Sequence, residues 1–214
     1  MSRFGPDPRA FFDTIYEGEA PWDIGAPQPG LARLLEELPP EGRVLDLGCG
    51  TGDLAIWLAQ RGHPVLGVDF AEAAVVEARA RAARAGSLRA PLEFEVGDAT
   101  RPAQLGRGFG AVVDSGFYHL FDEAGREALA AELALALAPG GRYYLQAFAL
   151  EFEMENTPMQ VSEAELRTRF GPGRGWQVVA VREAEFLSRV APPVPAIAAC
   201  LGRVTPDRPA PRPA

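Results

Sequence analysis

The chain has 214 residues, 47% of them hydrophobic and 23% charged, enough for one domain whose core needs neither disulfides nor a structural metal. Its 21 basic residues are all arginine and face 29 acidic ones, for a net charge of -8. That balance disfavours nucleic acid and anionic lipid as partners, and the absence of lysine excludes Schiff-base and P-loop chemistry.

In chain order, residues 1–30 mix Phe11, Phe12, Tyr16 and Trp22 with glycine and proline. Those aromatics need a surface to pack on, so the segment is expected to be an arm or lid. Residues 31–204 read as the main domain, opening with a helix over 31–38. The tail 205–214, rich in Pro, Ala and Arg, is expected to be disordered. Arg43–Leu47 reads as a buried strand and Leu54–Arg61 as a helix. Pro64–Val68 is the second strand, Ala71–Gly86 an alanine-rich helix and Leu92–Val96 the third strand. Gly110–Val113 opens the fourth strand. The helix Glu123–Ala138 is closed by Pro139-Gly140-Gly141, and Arg142–Phe148 is the fifth strand. Ser162 should cap a helix to about Phe170, with Glu165 completing a capping box. Trp176–Val181 and Ile197–Val204 supply two more strands. The alternation predicts an α/β fold: a doubly wound, Rossmann-like sheet of seven mostly parallel strands with one antiparallel edge strand.

The most specific signal lies between the first strand and its helix, in Gly48-Cys49-Gly50-Thr51-Gly52. Glycines there let the backbone turn sharply and approach a ligand closely, at the N-terminus of the next helix. The spacing G-x-G-x-G differs from the dinucleotide pattern G-x-G-x-x-G, and Asp46 just before it would repel a diphosphate. A carboxylate there suits an ammonium group. Asp69, ending the second strand, can accept two ribose hydroxyls, although it also stands where a helix N-cap would. Asp98, after the third strand, can accept from an adenine amine. Three acids at successive strand ends thus fit the parts of S-adenosylmethionine (SAM). Gly48, Cys49, Gly50, Gly52, Phe70 and Ala99 complete the expected cofactor set.

The run VLDLGCGTG, the later GVD and GDAT, and the LAPGG turn resemble class I SAM-dependent methyltransferases over about residues 43–148. Two positions depart from that pattern: Gly110, where the family often has an acid, and Ala138, where it often has Lys or Arg. Pro21-Trp22-Asp23-Ile24-Gly25-Ala26-Pro27-Gln28-Pro29 is similar to the PWDxGxPxP segment of thiopurine and halide/thiol methyltransferases. That resemblance implies that Trp22 lies over the cofactor, with Gln28 as a polar contact. It also implies that Asp114–Leu120 meets the methyl acceptor, with Asp114 near the cofactor and Phe117 and Tyr118 walling the pocket. Tyr16 is a further candidate for substrate contact.

Methyl transfer from a sulfonium is an in-line displacement that depends on alignment and exclusion of water. A thiolate or halide needs no base, whereas a hydroxyl or amine usually does, and His119 is the candidate base. The expectation is therefore a SAM-dependent methyltransferase of a small molecule: a thiol, thiopurine-like heterocycle, halide or metalloid. The alternatives are an O- or N-methyltransferase of a secondary metabolite with His119 as base and, outside that class, an NAD(P)-binding oxidoreductase. No metal is expected, because Asp114 lacks neighbouring oxygen ligands and the two cysteines cannot make a four-ligand zinc site. With no signal peptide in the opening residues and no apolar run of about 18 residues, the chain is expected to be cytoplasmic, a monomer or homodimer, with no membrane or nucleic-acid partner.

Overall fold

The structure is a computed structural model, and it describes residues 8–16, 18, 20–153 and 157–204. The expected tail, 205–214, lies outside the described residues. Along the chain run α1 (Pro8–Tyr16), α2 (Pro29–Glu37), β1 (Val44–Leu47), α3 (Asp53–Gln60), β2 (Val65–Asp69), α4 (Glu72–Arg84) and β3 (Leu92–Val96). There follow α5 (Pro102–Leu105), β4 (Phe109–Ser115), a 3₁₀ turn (Tyr118–Leu120), α6 (Glu123–Ala136), β5 (Leu137–Phe148), α7 (Glu163–Arg169), β6 (Trp176–Phe186) and β7 (Val194–Arg203). No helix among the described residues is long and apolar enough to cross a membrane.

The seven strands form one sheet in the order β3-β2-β1-β4-β5-β7-β6. β1 pairs in parallel with β2 on one side and β4 on the other, so the order of strands reverses between β1 and β4. In open α/β sheets the crevice at such a switch point, outside the C-terminal strand ends, is where ligands bind. The reversed strand is β7, antiparallel to both β5 and β6. It lies one position inside the edge, and β6 takes the edge itself. A short β6–β7 connection permits either strand to be outermost; pairing of β7 with β5 leaves β6 at the edge.

Val44, Leu45, Asp46 and Leu47 are all buried, as a central parallel strand requires. Alternation sends Leu45 and Leu47 to the face covered by α6, with Leu129 and Leu133. Val44 joins Leu34, Leu54, Leu58 and Val75 on the opposite face, under α2, α3 and α4. Each leucine buried in this way contributes roughly 1.5–3 kcal/mol. Asp46 shares the Val44 face, so a carboxylate is placed within an apolar layer directly beneath the glycine loop.

Two local expectations change. Pro139-Gly140-Gly141 does not separate α6 from β5, because β5 begins at Leu137 and these residues bulge from it between the pairs Phe109–Leu137 and Ala111–Arg142. The bulge faces Gly110, where a Cβ would lie 1.8 Å from the carbonyl oxygen of Glu41. An acid at this position, usual in the resembling family, would collide with that turn. At α7, Ser162 Oγ accepts from the Glu165 N–H at 3.1 Å. The reciprocal half of the capping box is missing. The Glu165 carboxylate accepts instead from the Tyr118 hydroxyl (2.5 Å), Arg169 (3.0 Å) and Arg126 (3.4 Å).

Candidate active site

Gly48, Gly50 and Gly52 have φ of 63°, 52° and 87°, a region that side chains disfavour. Space forbids side chains as well: a Cβ at Gly48 would lie 2.8 Å from Phe117 Cδ2, and one at Gly52 2.7 Å from Phe94 Cζ. The loop is fastened to β2 by Asp69, whose Oδ2 accepts from the Gly50 N–H and Oδ1 from the Ala71 N–H, both at 2.9 Å. The Phe70 N–H also bonds to this carboxylate, which still keeps lone-pair capacity toward the cavity. Burial pushes the Asp69 carboxyl above the usual range despite those bonds.

Beside the loop lies a cavity of about 340 Å³, within the range of small-molecule sites. One part is walled by the loop, Asp46, Asp69, Phe70 and the arm. The other is walled by Ser115, Gly116, Phe117, His119, Phe148 and Phe186. Asp46 is 2% exposed, and its Oδ2 has no hydrogen-bond partner. A buried carboxylate oxygen without a donor is costly. Burial, then the nearby Asp114 and Asp69 charges, push its pKa up, opposed by a bond from the Ala55 N–H in the first turn of α3. A cationic donor in the cavity would satisfy Oδ2 and draw the proton off. Positive-φ glycines, a helix N-terminus and an orphan carboxylate together fit the amino-acid part of SAM.

Several predicted residues line this cavity: Tyr16, Trp22, Asp46, Gly48, Cys49, Gly50, Asp69, Phe70, Phe117 and His119. Tyr16, expected as a substrate contact, stands beside the glycine loop. Its hydroxyl lies 3.0 Å from the position of a Cβ on Gly50, and burial together with the Asp69 charge keeps it protonated. Trp22 packs edge-on against Phe12 and Tyr16 at 5.9 and 6.0 Å. Cys49 is buried, and its thiol pKa is raised by burial, so it is inert.

Other expected residues stand in different surroundings. The cavity lining does not include Asp98 or Ala99; Asp98 is exposed and accepts from the Thr100 N–H (2.9 Å) and hydroxyl (2.6 Å). Asp114 is fully buried and its oxygens accept from the Phe117 N–H (2.6 Å), Tyr118 N–H (2.8 Å) and Tyr143 hydroxyl (2.6 Å). It shapes the loop after β4 and does not face a ligand. Tyr118 points into the core, against Tyr143 and Phe170. The Gln28 amide, which also lines the cavity, both donates to and accepts from the Leu187 backbone, at 3.0 and 2.8 Å, which pins the arm to the β6–β7 connection.

His119 is 3% exposed and stacks on Phe148 at 4.7 Å and 11°. Its Nδ1 accepts from the Phe148 N–H at 3.3 Å. Burial, with Arg126 nearby, lowers its pKa to about 3, so the ring is neutral at pH 7. With Nδ1 accepting, the proton sits on Nε2, and no ring nitrogen has a free lone pair for a substrate proton. Among the described residues no cluster of three or more His, Cys, Asp or Glu side chains could hold a metal ion.

Sequence reasoning missed Phe148 and Phe186, which pack 4.7 Å apart within the acceptor side. Both look like ordinary strand residues in sequence. It also missed the ion cluster joining Asp23 to Arg81 at 2.7 Å. The PWD run was a signal for Asp23; nothing distinguished Arg81 from Arg79 and Arg84 on the same helix.

Residues 44–141 match the family model described as a methyltransferase domain. A 2-heptyl-1-hydroxyquinolin-4(1H)-one methyltransferase of Mycobacteroides abscessus is 35% identical over 167 residues, covering 73% of this chain and 72% of its own. A probable thiol methyltransferase 2 of Arabidopsis thaliana is 28% identical over 172 residues, covering 79% of this chain and 74% of its own. A solved structure from the conversion of a disulfide bond into a thioacetal group during echinomycin biosynthesis is 30% identical, with a TM-score of 0.76, and the match covers 92% of this chain and 93% of that one.

Proposed function

The chain belongs to the class I SAM-dependent methyltransferases that act on small molecules, and on that premise we propose that its acceptor is a flat heteroaromatic nucleophile that arrives already ionised. The observation that carries this reading is the Nδ1 bond of His119. Among the described residues it leaves the acceptor side without a general base, so in this reading the nucleophile loses its proton to water beforehand. Thiolates and acidic N-hydroxy or thiocarbonyl heterocycles meet that condition; alcohols and amines do not. The 2-heptyl-1-hydroxyquinolin-4(1H)-one named for the M. abscessus relative is a heteroaromatic of this kind. Phe148, Phe186 and the stacked His119 ring offer faces to a planar ring and little to a hydrated halide or metalloid.

When bound, SAM supplies a methyl group on a sulfonium, and transfer forms the acceptor–carbon bond as the carbon–sulfur bond breaks. In this assignment Asp46 Oδ2 receives the ammonium. Asp69 offers its remaining lone pairs to the ribose, and Phe12 and Phe70, 5.8 Å apart, take the adenine side in place of Asp98. His119 Nε2–H donates to the acceptor beside its nucleophilic atom. The apolar walls exclude water, which favours a reaction that neutralises an anion against a cation.

Turnover of SAM against a panel tests the reading. Thiopurines and N-hydroxyquinolones should be methylated, and iodide and alkylamines should not. Turnover confined to acceptors with a pKa above about 9 would overturn it, because these need a base. His119→Ala should cost about 3–10-fold in kcat/KM, the worth of one neutral hydrogen bond. A general base would cost about 100-fold or more. The kcat/KM profile should follow the acceptor's own pKa in both proteins; a further ionisation present in the wild type and lost in the variant would restore His119 as base.

A further inference from the structure

The cofactor-side wall includes Tyr16 and Trp22 of the arm, and what holds the arm there lies outside the aromatic lining. Arg81 on α4 donates from Nη1 and Nη2 to Asp23 Oδ1 and Oδ2, at 2.9 and 2.7 Å. This is the paired geometry in which arginine binds a carboxylate most firmly. The same guanidinium reaches Asp53 Oδ1 at 3.1 Å and Glu77 Oε1 at 3.0 Å. Asp53 opens α3 and Glu77 lies on α4, so one side chain joins the arm, the helix that follows the glycine loop, and α4. Thr51, within the loop, adds a bond from its hydroxyl to Asp23 Oδ2 at 3.0 Å. Among these partners Asp23 is the most enclosed, its side chain 9% exposed against 25% for Arg81.

The cluster is asymmetric in charge. Among the described residues Arg81 faces three acids, Asp23, Asp53 and Glu77, and Arg84 also reaches Glu77 at 3.0 Å. Asp23 stays ionised below the usual carboxylate range because of Arg81 and Thr51, although burial opposes it. Asp53, beside Asp23, is pushed up by burial. Without the guanidinium, the Asp23 carboxylate would face Asp53 on α3 with no cation between them. Arg81 therefore supplies the charge-paired tie between the arm and the helices α3 and α4, beside the Thr51 hydroxyl bond and the bonds of Pro21 to Ser188 and Arg189.

We propose that Arg81 is a positioning residue for the cofactor, a latch that seats Tyr16 and Trp22 over the glycine loop while touching neither SAM nor acceptor. The proposal rests on the reading of that part of the cavity as the SAM site. The latch acts on both cofactor forms and not on the methyl-transfer step, so it should appear in binding and not in turnover at saturation.

Calorimetric titration of S-adenosylhomocysteine, with steady-state kinetics, separates the two. In Arg81→Gln the Kd and the KM for SAM should rise together by about tenfold or more, as expected for losing a paired charge-assisted contact, while kcat at saturating SAM moves less than about threefold. The double exchange Asp23→Arg with Arg81→Asp restores opposite charges at the two positions and leaves Asp53 facing the new cation. It should bring the Kd most of the way back, which a merely destabilising substitution cannot do. Arg81→Lys keeps the charge without the fork and should fall between, serving as the readout if the glutamine variant unfolds. An unchanged Kd in a folded Arg81 variant, or an exchange no better than Arg81→Gln, would overturn the latch alone. A wild-type chain that binds no S-adenosylhomocysteine would overturn the SAM site and the latch together.

Discussion

Asp46→Asn is expected to weaken SAM binding by about 10–150-fold, the worth of a hydrogen bond to a charged group at roughly 1.5–3 kcal/mol. The substitution keeps the side-chain shape and an oxygen for the Ala55 N–H, so the fold should persist. What it removes is the oxygen that has no partner among the described residues, Oδ2. The pH dependence sharpens the test. In the free protein the Asp46 pKa is raised by burial and by Asp114 and Asp69, and an ammonium partner lowers it again. Below the free-protein pKa, binding must expel a proton, so affinity falls as pH falls, by up to about tenfold per unit. Calorimetry in two buffers of different ionisation enthalpy should detect that proton in the wild type and lose it in Asp46→Asn. Wild-type affinity in the variant would place the ammonium elsewhere.

Asp114→Ala is expected to destabilise the protein by about 3–5 kcal/mol, as loss of one partner in a buried charged network does. Two backbone N–H groups and the Tyr143 hydroxyl would lose their acceptor at once. Urea unfolding measures the loss. Its size should depend on pH in a defined sense. The folded pKa of Asp114 is about 6, above about 3.9 for a free aspartate. A raised carboxyl pKa contributes stability fully present below the unfolded value and lost as pH rises through the folded one. The gap between wild type and variant should therefore be widest below about pH 4 and shrink to a plateau above about 6. A gap that widened over that range would mean that the donors, which favour the ionised form, outweigh the burial that opposes it. Activity should fall as well, because the loop that Asp114 shapes carries Phe117 and His119.

The strands and most helices were legible because apolar runs and glycine punctuation are local. Leu92–Val96 shows this directly: alternation and flanking turn residues bound it as read. The order of β6 and β7 was not legible, because a hairpin reads alike whichever strand lies outside. The Asp residues separate in the same way. Asp46, Asp69, Asp98 and Asp114 all stand at or near C-terminal strand ends and look equivalent in sequence. The fold leaves Asp46 with an orphan oxygen among the described residues, gives Asp69 backbone donors from Gly50, Phe70 and Ala71, turns Asp98 toward Thr100 and surrounds Asp114 with donors. Pairing of this kind depends on residues such as Tyr143, 29 positions away.

What the sequence determined by itself was the cofactor half: a lysine-free, acidic chain with a G-x-G-x-G loop opening a parallel sheet, since a tight turn at a helix N-terminus is set by a few consecutive residues. What only the tertiary structure decided was the state of His119 and the role of Arg81. A protonation site follows from which backbone N–H a ring nitrogen meets, here that of Phe148 across 29 residues. A latch follows from which acid a guanidinium reaches, here Asp23 across 58. Both distances along the chain exceed any local pattern, and both are closed only by the packing of the sheet and the arm against it.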